Sequence, residues 1–400
     1  MLSNRAAANG RPAVSLRGSA YIAGVFEHPR REIPELSLGQ IHAEVAAGAL
    51  ADAGLSFADV DGYFCAGDAP GFGPLSMVEY LGLRCRHVDS TEIGGSSPLA
   101  HVGHAAAAIA AGHCDVALIT LAGKPRTGGV RPGRERQGAP ESSFENVYGM
   151  TVPAGYALAA QRHMYEFGTR SEQLAWIKVA ASQHAQHNPN AFLPKPVTVD
   201  EVLASPMVSD PLHRLDCCVI TDGGGALVVV SPGVARDLPR AKAKILGEAE
   251  APKGTDGGRI DLTYTGAALS GPRAFDEAGV TPADIDYVSI YDSFTITVLV
   301  TLEDLGFCEK GAGGQFVEDG GLISPDGRLP FNTDGGGLCN NHPGNRGGMT
   351  KVIEAVRQLR GEAHSAVQVP DCTLALAHGT GGSLGTRMGS VTLILGAEDV

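Results

Sequence analysis

Three short motifs in the second half of the chain carry side chains suited to proton transfer. His342 lies in the glycine-rich stretch GGGLCNNHPG, residues 335–344. Tyr291 opens the tetrapeptide YDSF at the end of a strand-like run, and His378 begins HGTGGSLG, residues 378–385. An imidazole exchanges protons near neutral pH, whereas a phenol does so readily only where its surroundings lower a pKa of about 10. These three side chains are therefore candidate catalytic groups.

Each candidate also has an ordinary structural explanation. With 13 histidines in the chain, His342 could simply brace its loop. Tyr291 could be a packed aromatic ring at a strand end, and His378 could end a buried strand. The neighbouring Asp292 fits a buried hydrogen-bond anchor better than a catalytic acid. Glycines of the last motif permit close backbone approach to a substrate and could donate N–H groups, namely Gly379, Gly381 and Gly382.

Composition restricts the classes of function. The net charge of −13 argues against general nucleic-acid binding, which needs a basic surface. The eight cysteines contain no CxxC spacing, and the chain shows no secretory segment and no apolar run long enough to span a membrane. We expect a cytoplasmic protein with reduced thiols. His101 and His104, three positions apart in an Ala-rich helix, lack a third ligand, so we predict no metal.

An internal repeat organises the chain. LADAGLSFADVD at residues 50–61 and FDEAGVTPADID at residues 275–286 are nearly the same sequence, and their glycines Gly54 and Gly279 lie 225 positions apart. Each copy reads as a helix that ends on glycine, a turn and a buried strand. An accidental match of this length and order is improbable, so we infer a duplicated unit.

The sequence after each copy also corresponds. Each copy leads into a glycine-rich stretch, then a helix and an apolar strand, which predicts an α/β fold of mostly parallel, helix-covered sheets. We expect two pseudo-symmetric halves, 12–245 and 246–400. Residues from about 122 to 200 differ in composition from the repeated unit and are interpreted as a loop and lid insertion in the first half.

Duplicated halves of this kind resemble the thiolase fold, and the resemblance covers nearly the whole chain. Thiolases carry a Gly-His-Pro loop like residues 335–344, a motif at the position of residues 291–294, and a Cys-x-Gly-Gly-Gly loop at the position of residues 378–385. The resemblance implies that His342 donates to a thioester oxygen. It also implies that Tyr291 replaces the asparagine that orders the oxyanion-hole water.

The acylating cysteine of thiolases is missing. Family spacing, counted back from Asp115, places that position at Gly95, and no cysteine lies between Cys85 and Cys114. A helix N-terminus would activate a thiol, yet here there is none to activate. Ser96 is a poor substitute because an alcohol needs an adjacent strong base, and an N-cap role suits it better.

The pattern is similar to the steroid side-chain aldolases of this superfamily. That similarity implies retro-aldol cleavage of a β-hydroxyacyl-CoA without an acyl-enzyme, with coenzyme A present only as part of the substrate. It further implies a homodimer that works with an OB-fold/zinc-ribbon protein. The predicted substrate-binding residues are Gly95, Ser96, Asn341, Gly379, Gly381 and Gly382. Basic side chains from Lys124 to Arg136 are candidates for CoA phosphates or the partner, or form a solvated surface.

Two other classes of function remain open from the sequence. The chain could be a thiolase or acyltransferase that recruits another thiol, such as Cys65 or Cys339. It could also be a non-catalytic scaffold that binds acyl-CoA or stabilises a partner enzyme. The motif around His342 and the presence of Tyr291 favour an enzyme over the scaffold.

Overall fold

The computed structural model describes residues 15–128, 147, 149, 151–254, 259–384 and 387–400, which form eleven strands and eleven α-helices. The strands are β1 (Tyr21–Glu27), β2 (Gly62–Cys65), β3 (His87–Ser90), β4 (Val116–Gly123), β5 (Met207–Ser209), β6 (Leu212–His213), β7 (Gly223–Val230), β8 (Ala243–Lys253), β9 (Tyr287–Ile290), β10 (Leu374–Gly381) and β11 (Met388–Gly396). The helices are α1 (Leu38–Ala53), α2 (Pro74–Leu81), α3 (Ser97–Ala110), α4 (Val152–Phe167), α5 (Ser171–Ala185), α6 (Val199–Leu203), α7 (Pro232–Asp237), α8 (Ala267–Ala278), α9 (Thr295–Asp304), α10 (Gly313–Val317) and α11 (Gly348–Leu359).

Nine of the described strands form one mixed sheet, in the order β3-β2-β4-β7-β1-β8-β11-β10-β9. β2 pairs in parallel with β3 and β4, and β9 pairs in parallel with β10. All pairs between β4 and β10 in this order are antiparallel. The expected parallel pairing thus holds at both ends of the sheet and fails in its middle. β10 and β11 show why, because the short connection 382–387 can only make an antiparallel hairpin.

The duplication is confirmed. β2 and β9 are displaced by the 225 positions read from the sequence, and β1, β4 and β7 have their equivalents in β8, β10 and β11. α1 and α8 are also equivalent. They end at Gly54 (φ 74°) and Gly279 (φ 66°), in the left-handed conformation that favours glycine at a helix end.

The strands of each half of the chain form one half of the sheet, here called a half-sheet. Two equivalent helices, α3 and α11, pack on both half-sheets and form one apolar cluster with their strands. α1 covers the outer face of the first half-sheet, and α8 and α9 cover that of the second. Both faces of the central strands are therefore buried, which accounts for their continuous apolar sequences. The N-termini of α3 and α11 meet at the centre of the molecule.

The insertion packs on the second half. Tyr156 of α4 stacks on Phe294 with ring centroids 4.3 Å apart. The buried His163 of α4 contacts Glu303 of α9 at 3.0 Å. The insertion also continues past residue 200, because α6 and the β5–β6 hairpin precede β7. Its final segment, 217–221, runs beside the end of β9 and the His342 loop.

The paired histidines of α3 have separate partners. His104 contacts Asp89 of β3 and Glu250 of β8, each at 2.7 Å, and His101 accepts the N–H of Thr91. Across the described ranges, no group of three His, Cys, Asp or Glu side chains is arranged to hold a metal ion. Nor does any helix in those ranges have the length and apolarity needed to cross a membrane.

Candidate active site

Tyr291 follows directly after β9, where the strand leaves the sheet. Its N–H donates to the carbonyl of His378 at 2.9 Å, and its ring is 5% exposed. The Tyr291 hydroxyl lies 2.7 Å from Nε2 of His342 and 3.1 Å from the carbonyl oxygen of Gly344. The structure thus brings together two of the three catalytic candidates in one hydrogen bond.

Asp292 positions the histidine of this pair. Its carboxylate accepts the N–H groups of Gly337 (2.8 Å) and Leu338 (3.0 Å) in a π-helical turn, Gly336–Asn340, that precedes His342. Lys351 of α11 donates to the same carboxylate at 3.0 Å, and both partners are buried. The prediction that Asp292 is a hydrogen-bond anchor is confirmed.

Burial controls the protonation of the pair. It lowers the pKa of His342 to about 4, so the imidazole is neutral over the physiological range. Burial also raises the pKa of Tyr291 well above its ordinary value, with smaller contributions from Cys218, Tyr156 and Asp292. The resting pair therefore consists of a neutral phenol and a neutral imidazole. The 2.7 Å contact allows a proton to pass between the hydroxyl and Nε2 without rearrangement of heavy atoms.

Gly95 lies directly against the tyrosine ring. A Cβ on Gly95 would stand 2.5 Å from Cε2 of Tyr291 and 2.4 Å from the carbonyl oxygen of Thr380. Both distances are shorter than atoms tolerate, so the tyrosine ring and the backbone of β10 exclude any side chain here. A helix N-terminus that lacks a nucleophile thus faces a phenol.

Comparison with known proteins identifies the family of this chain. Residues 254–397 match a family model described as Thiolase C-terminal domain-like. A steroid side-chain-cleaving aldolase of Thermomonospora curvata is 36% identical over 410 residues, which cover 96% of this chain and 99% of that protein. The chain belongs to the thiolase superfamily.

Other members of the superfamily are also similar to this chain. An acetyl-CoA acetyltransferase of Methanothermobacter thermautotrophicus is 34% identical over 383 residues, which cover 91% of this chain and 97% of that protein. The solved structure of an Ltp2-ChsH2(DUF35) aldolase superposes with a TM-score of 0.86 at 34% identity, covering 96% of this chain and 99% of that one. The expected thiolase fold is confirmed.

His378 does not join the other two candidates in this thiolase-superfamily site. A Cβ on its neighbour Gly379 would meet Leu99 and Ser96 of the α3 region, so the side chain of His378 points to the opposite face of β10. There its Nδ1 contacts Thr392 at 3.0 Å, and burial lowers its pKa to about 3. The structure places this histidine in the core, which corrects its prediction as an acid or base in the site.

The side chains of Asn341 and Ser96 are hydrogen-bonded within the protein. The amide of Asn341 accepts from Thr221 at 2.7 Å and donates to Glu27 at 2.8 Å. The hydroxyl of Ser96 donates back to the carbonyl of Ile93 at 2.9 Å and makes no side-chain cap on α3. These contacts correct the capping role of Ser96, whereas substrate binding by Asn341 and Ser96 stays a prediction.

The glycines of β10 serve close packing between the two halves. A Cβ on Gly381 would lie 1.8 Å from the carbonyl oxygen of Ile93, and a Cβ on Gly379 would lie 2.7 Å from Leu99. Gly382, with φ of 78°, would place a Cβ 1.9 Å from the Arg387 carbonyl oxygen. Gly379 and Gly381 let the strand touch the turn that contains Gly95, which forms one side of the site, whereas Gly382 packs within the β10–β11 hairpin.

None of the thiols is prepared for nucleophilic attack. All eight cysteines lie in the described residues, and each has its pKa raised by burial, Cys65 to about 12. Cys339 is fully buried within the π-helical turn and contacts the ammonium group of Lys178 at 3.1 Å. A protonated, enclosed thiol is a poor nucleophile.

Sequence reasoning missed two cations next to the site. Lys351 pairs with Asp292, and Arg346, between the glycines of the loop, pairs with Asp68 and Glu92. A charged residue in a glycine-rich loop, or in the buried stripe of a helix, was the available signal in the sequence.

In the basic loop predicted to contact CoA phosphates or the partner, Lys124 donates to backbone carbonyls and Arg126 pairs with Glu32. Its other candidates lie outside the described residues (Arg131, Arg134 and Arg136).

The fit around Gly95 gives a direct prediction. Gly95→Ala should lower stability by about 1–3 kcal/mol, because the added methyl group overpacks a site closed by backbone. Gly155→Ala is the matched control, since nothing lies within 4 Å of its Cβ position in α4. Chemical denaturation of both variants measures the difference. Equal stability of the two variants would contradict the geometry described for Gly95.

Proposed function

We propose that this chain is a CoA-dependent carbon–carbon lyase that cleaves a β-hydroxyacyl-CoA by a retro-aldol reaction. The observation that carries the proposal is the 2.7 Å contact between the Tyr291 hydroxyl and His342, beside a glycine where thiolases have their nucleophile. The 36%-identical relative named as a steroid side-chain-cleaving aldolase supports the same reaction and a steroid-type acyl group.

The proposed reaction uses the pair as one proton relay. The β-hydroxyl of the substrate gives its proton to the Tyr291 oxygen while the phenolic proton moves to Nε2 of His342. The Cα–Cβ bond breaks, and its electron pair forms the enolate of the thioester as the ketone or aldehyde leaves. The proton then returns through Tyr291 to Cα, which completes the shorter acyl-CoA. No acyl group is transferred to the protein.

The surroundings suit this relay. The imidazolium formed in the transition state lies near the buried carboxylate of Asp292, whose charge raises the pKa of His342 against the effect of burial. The same imidazolium is the positive charge that stabilises the enolate.

The proposed relay needs a neutral imidazole as the proton acceptor. The pH profile of turnover should therefore show activity down to a pH near the His342 pKa of about 4, over the range in which the protein stays folded.

Acyl transfer is the second candidate function, favoured by the relative named as an acetyl-CoA acetyltransferase. Acyl transfer needs a thiolate. Position 95 is a glycine and all eight thiols have raised pKa values, which argues against a reactive thiolate. A non-catalytic scaffold would not require the Tyr291–His342 contact. Variants of the pair separate the scaffold from the aldolase, and a test for acylation of the protein separates the acyltransferase from it.

Tyr291→Phe and His342→Ala should each lower the turnover of a β-hydroxyacyl-CoA by about a hundred- to a thousandfold. Since the two groups act as a unit, the double variant should be little worse than the worse single one. Product ketone and CoA ester are measured by mass spectrometry. Tyr165→Phe, 82% exposed, and His364→Ala, away from the site, are controls that should retain activity. Near-normal cleavage by both single variants would refute the assignment.

The protein should form no acyl-enzyme with acetyl-CoA or with a longer acyl-CoA. The reason is that Gly95 has no side chain to acylate and every cysteine has a raised thiol pKa. Intact-protein mass spectrometry, with a cysteine-dependent thiolase treated in parallel, makes the measurement. A stable adduct that maps to any cysteine would establish the acyltransferase instead.

We also propose a homodimer formed through β3. This strand is the edge of the sheet, and exposed apolar side chains lie beside it, with Leu75 65%, Tyr80 56% and Val88 37% exposed. An open edge strand next to apolar side chains is a pairing surface. The OB-fold/zinc-ribbon partner is proposed from the similarity to the Ltp2-ChsH2(DUF35) aldolase, whose name includes a DUF35 component.

Light scattering should give a mass of twice 41.3 kDa for the chain alone. Val88→Asp should shift the protein toward monomer, whereas Leu269→Asp, at an exposed position of α8, should not. Addition of the purified OB-fold/zinc-ribbon protein should raise the mass further. A concentration-independent monomer would overturn the dimer, and an unchanged mass after mixing would overturn the partner.

A further inference from the structure

Arg346 lies in the turn between His342 and α11 and is only 7% exposed. Its Nε donates to Asp68 at 2.9 Å, and its Nη2 donates to Glu92 at 3.0 Å. Its third nitrogen, Nη1, is buried and has no partner among the described residues. A guanidinium buried between two carboxylates is held in one position, because its planar fork fixes the geometry of both contacts.

The two carboxylates belong to the first half of the chain. Glu92 also accepts the N–H groups of Gly94 at 3.0 Å and Gly67 at 3.2 Å, and Asp68 accepts the N–H of Ala122 at 3.3 Å. Arg346 therefore ties its own turn, residues 344–346, to the turn that contains Gly94 and Gly95. This contact crosses between the two halves at the site.

Each of these turns borders Tyr291. The carbonyl of Gly344 is 3.1 Å from the Tyr291 hydroxyl, and Gly95 packs against the Tyr291 ring. A shift of one turn relative to the other changes where the phenol stands between His342 and the substrate. We propose that Arg346 is a positioning residue of the reaction, which acts through Tyr291 by clamping these two turns together. This inference rests on the proposed lyase function.

The charge of Arg346 adds to its geometric effect. Burial, Cys218, Tyr156 and Asp292 raise the pKa of Tyr291, and the guanidinium opposes them. The other groups that face Arg346 are the carboxylates of Asp68 and Glu92, the thiol of Cys65 and the rings of His42 and His101. Burial keeps the thiol protonated, with a pKa of about 12, and keeps both rings neutral, with pKa values of about 4. Removal of the guanidinium should thus raise the phenol pKa further.

Arg360 provides a matched control. It is also a buried arginine that bridges two carboxylates, Asp52 at 2.9 Å and Glu362 at 3.8 Å, and it donates to the carbonyl of Ala23. Its partners do not border Tyr291. A variant of Arg360 has a similar loss of buried ion pairing and leaves the site turns in place.

Arg346→Met should lower kcat by about a hundredfold with little change in KM, because a small misplacement of a reacting group costs about that factor. Arg346→Lys should retain part of the activity, and added guanidinium ion should restore part of it to Arg346→Met. Arg360→Met should keep a near-normal kcat despite a similar loss of thermal stability. If Arg346→Met does not fold, the double variant Asp68→Asn/Arg346→Met takes its place in the assays. The second substitution removes the charge of Asp68, which Arg346→Met leaves unpaired.

A second measurement is independent of turnover. With fluorotyrosine placed at position 291, fluorine NMR reports the titration of that phenol. Its pKa should rise in Arg346→Met and stay unchanged in Arg360→Met. An unchanged fluorotyrosine pKa, together with equal kcat losses in both arginine variants, would reduce Arg346 to a structural role. If the wild-type protein shows no cleavage, the lyase proposal fails, and the fluorine titration still decides whether Arg346 acts on Tyr291.

Discussion

The buried ion pair between Asp292 and Lys351 supports the whole arrangement of the site. Its carboxylate holds the π-helical turn by two backbone N–H groups, and the turn delivers His342 to Tyr291. Removal of one member of such a pair leaves an uncompensated buried charge and typically costs about 3–5 kcal/mol. Asp292, which follows Tyr291 in the sequence, thus positions His342, which contacts the Tyr291 hydroxyl. Lys351 adds the central helix α11 to the same unit.

A second constraint comes from the duplicated fold. The N-termini of the equivalent helices α3 and α11 converge, and Gly348 at the start of α11 approaches the backbone at Gly95. A Cβ on Gly348 would lie 1.8 Å from the carbonyl oxygen of Gly95. This contact brings elements from distant parts of the chain around one small volume. It also explains why glycine is concentrated there, since any larger residue would separate the halves.

Much of this was predictable from sequence. The repeat gave the duplication and its register, and the motifs around His342, Tyr291 and Asp292 led to the residues that the structure assembles. The failures have two physical causes. β10 is buried on both faces, so its sequence carries no polar alternation to show which way His378 points. Arg346 was missed because its partners, Asp68 and Glu92, lie more than 200 residues away in the first half.

Glycine at position 95 and tyrosine at position 291 depend on each other in this structure. The Tyr291 ring occupies the space beside Gly95 into which a side chain there would extend, so a cysteine and this phenol cannot share the site. A side chain at position 95 would also collide with the Thr380 carbonyl oxygen, which belongs to the backbone of a buried strand. Acyl-enzyme chemistry at position 95 would therefore require a different residue at position 291 and a shift of β10. The packing around Tyr291 depends on the absence of a side chain at position 95.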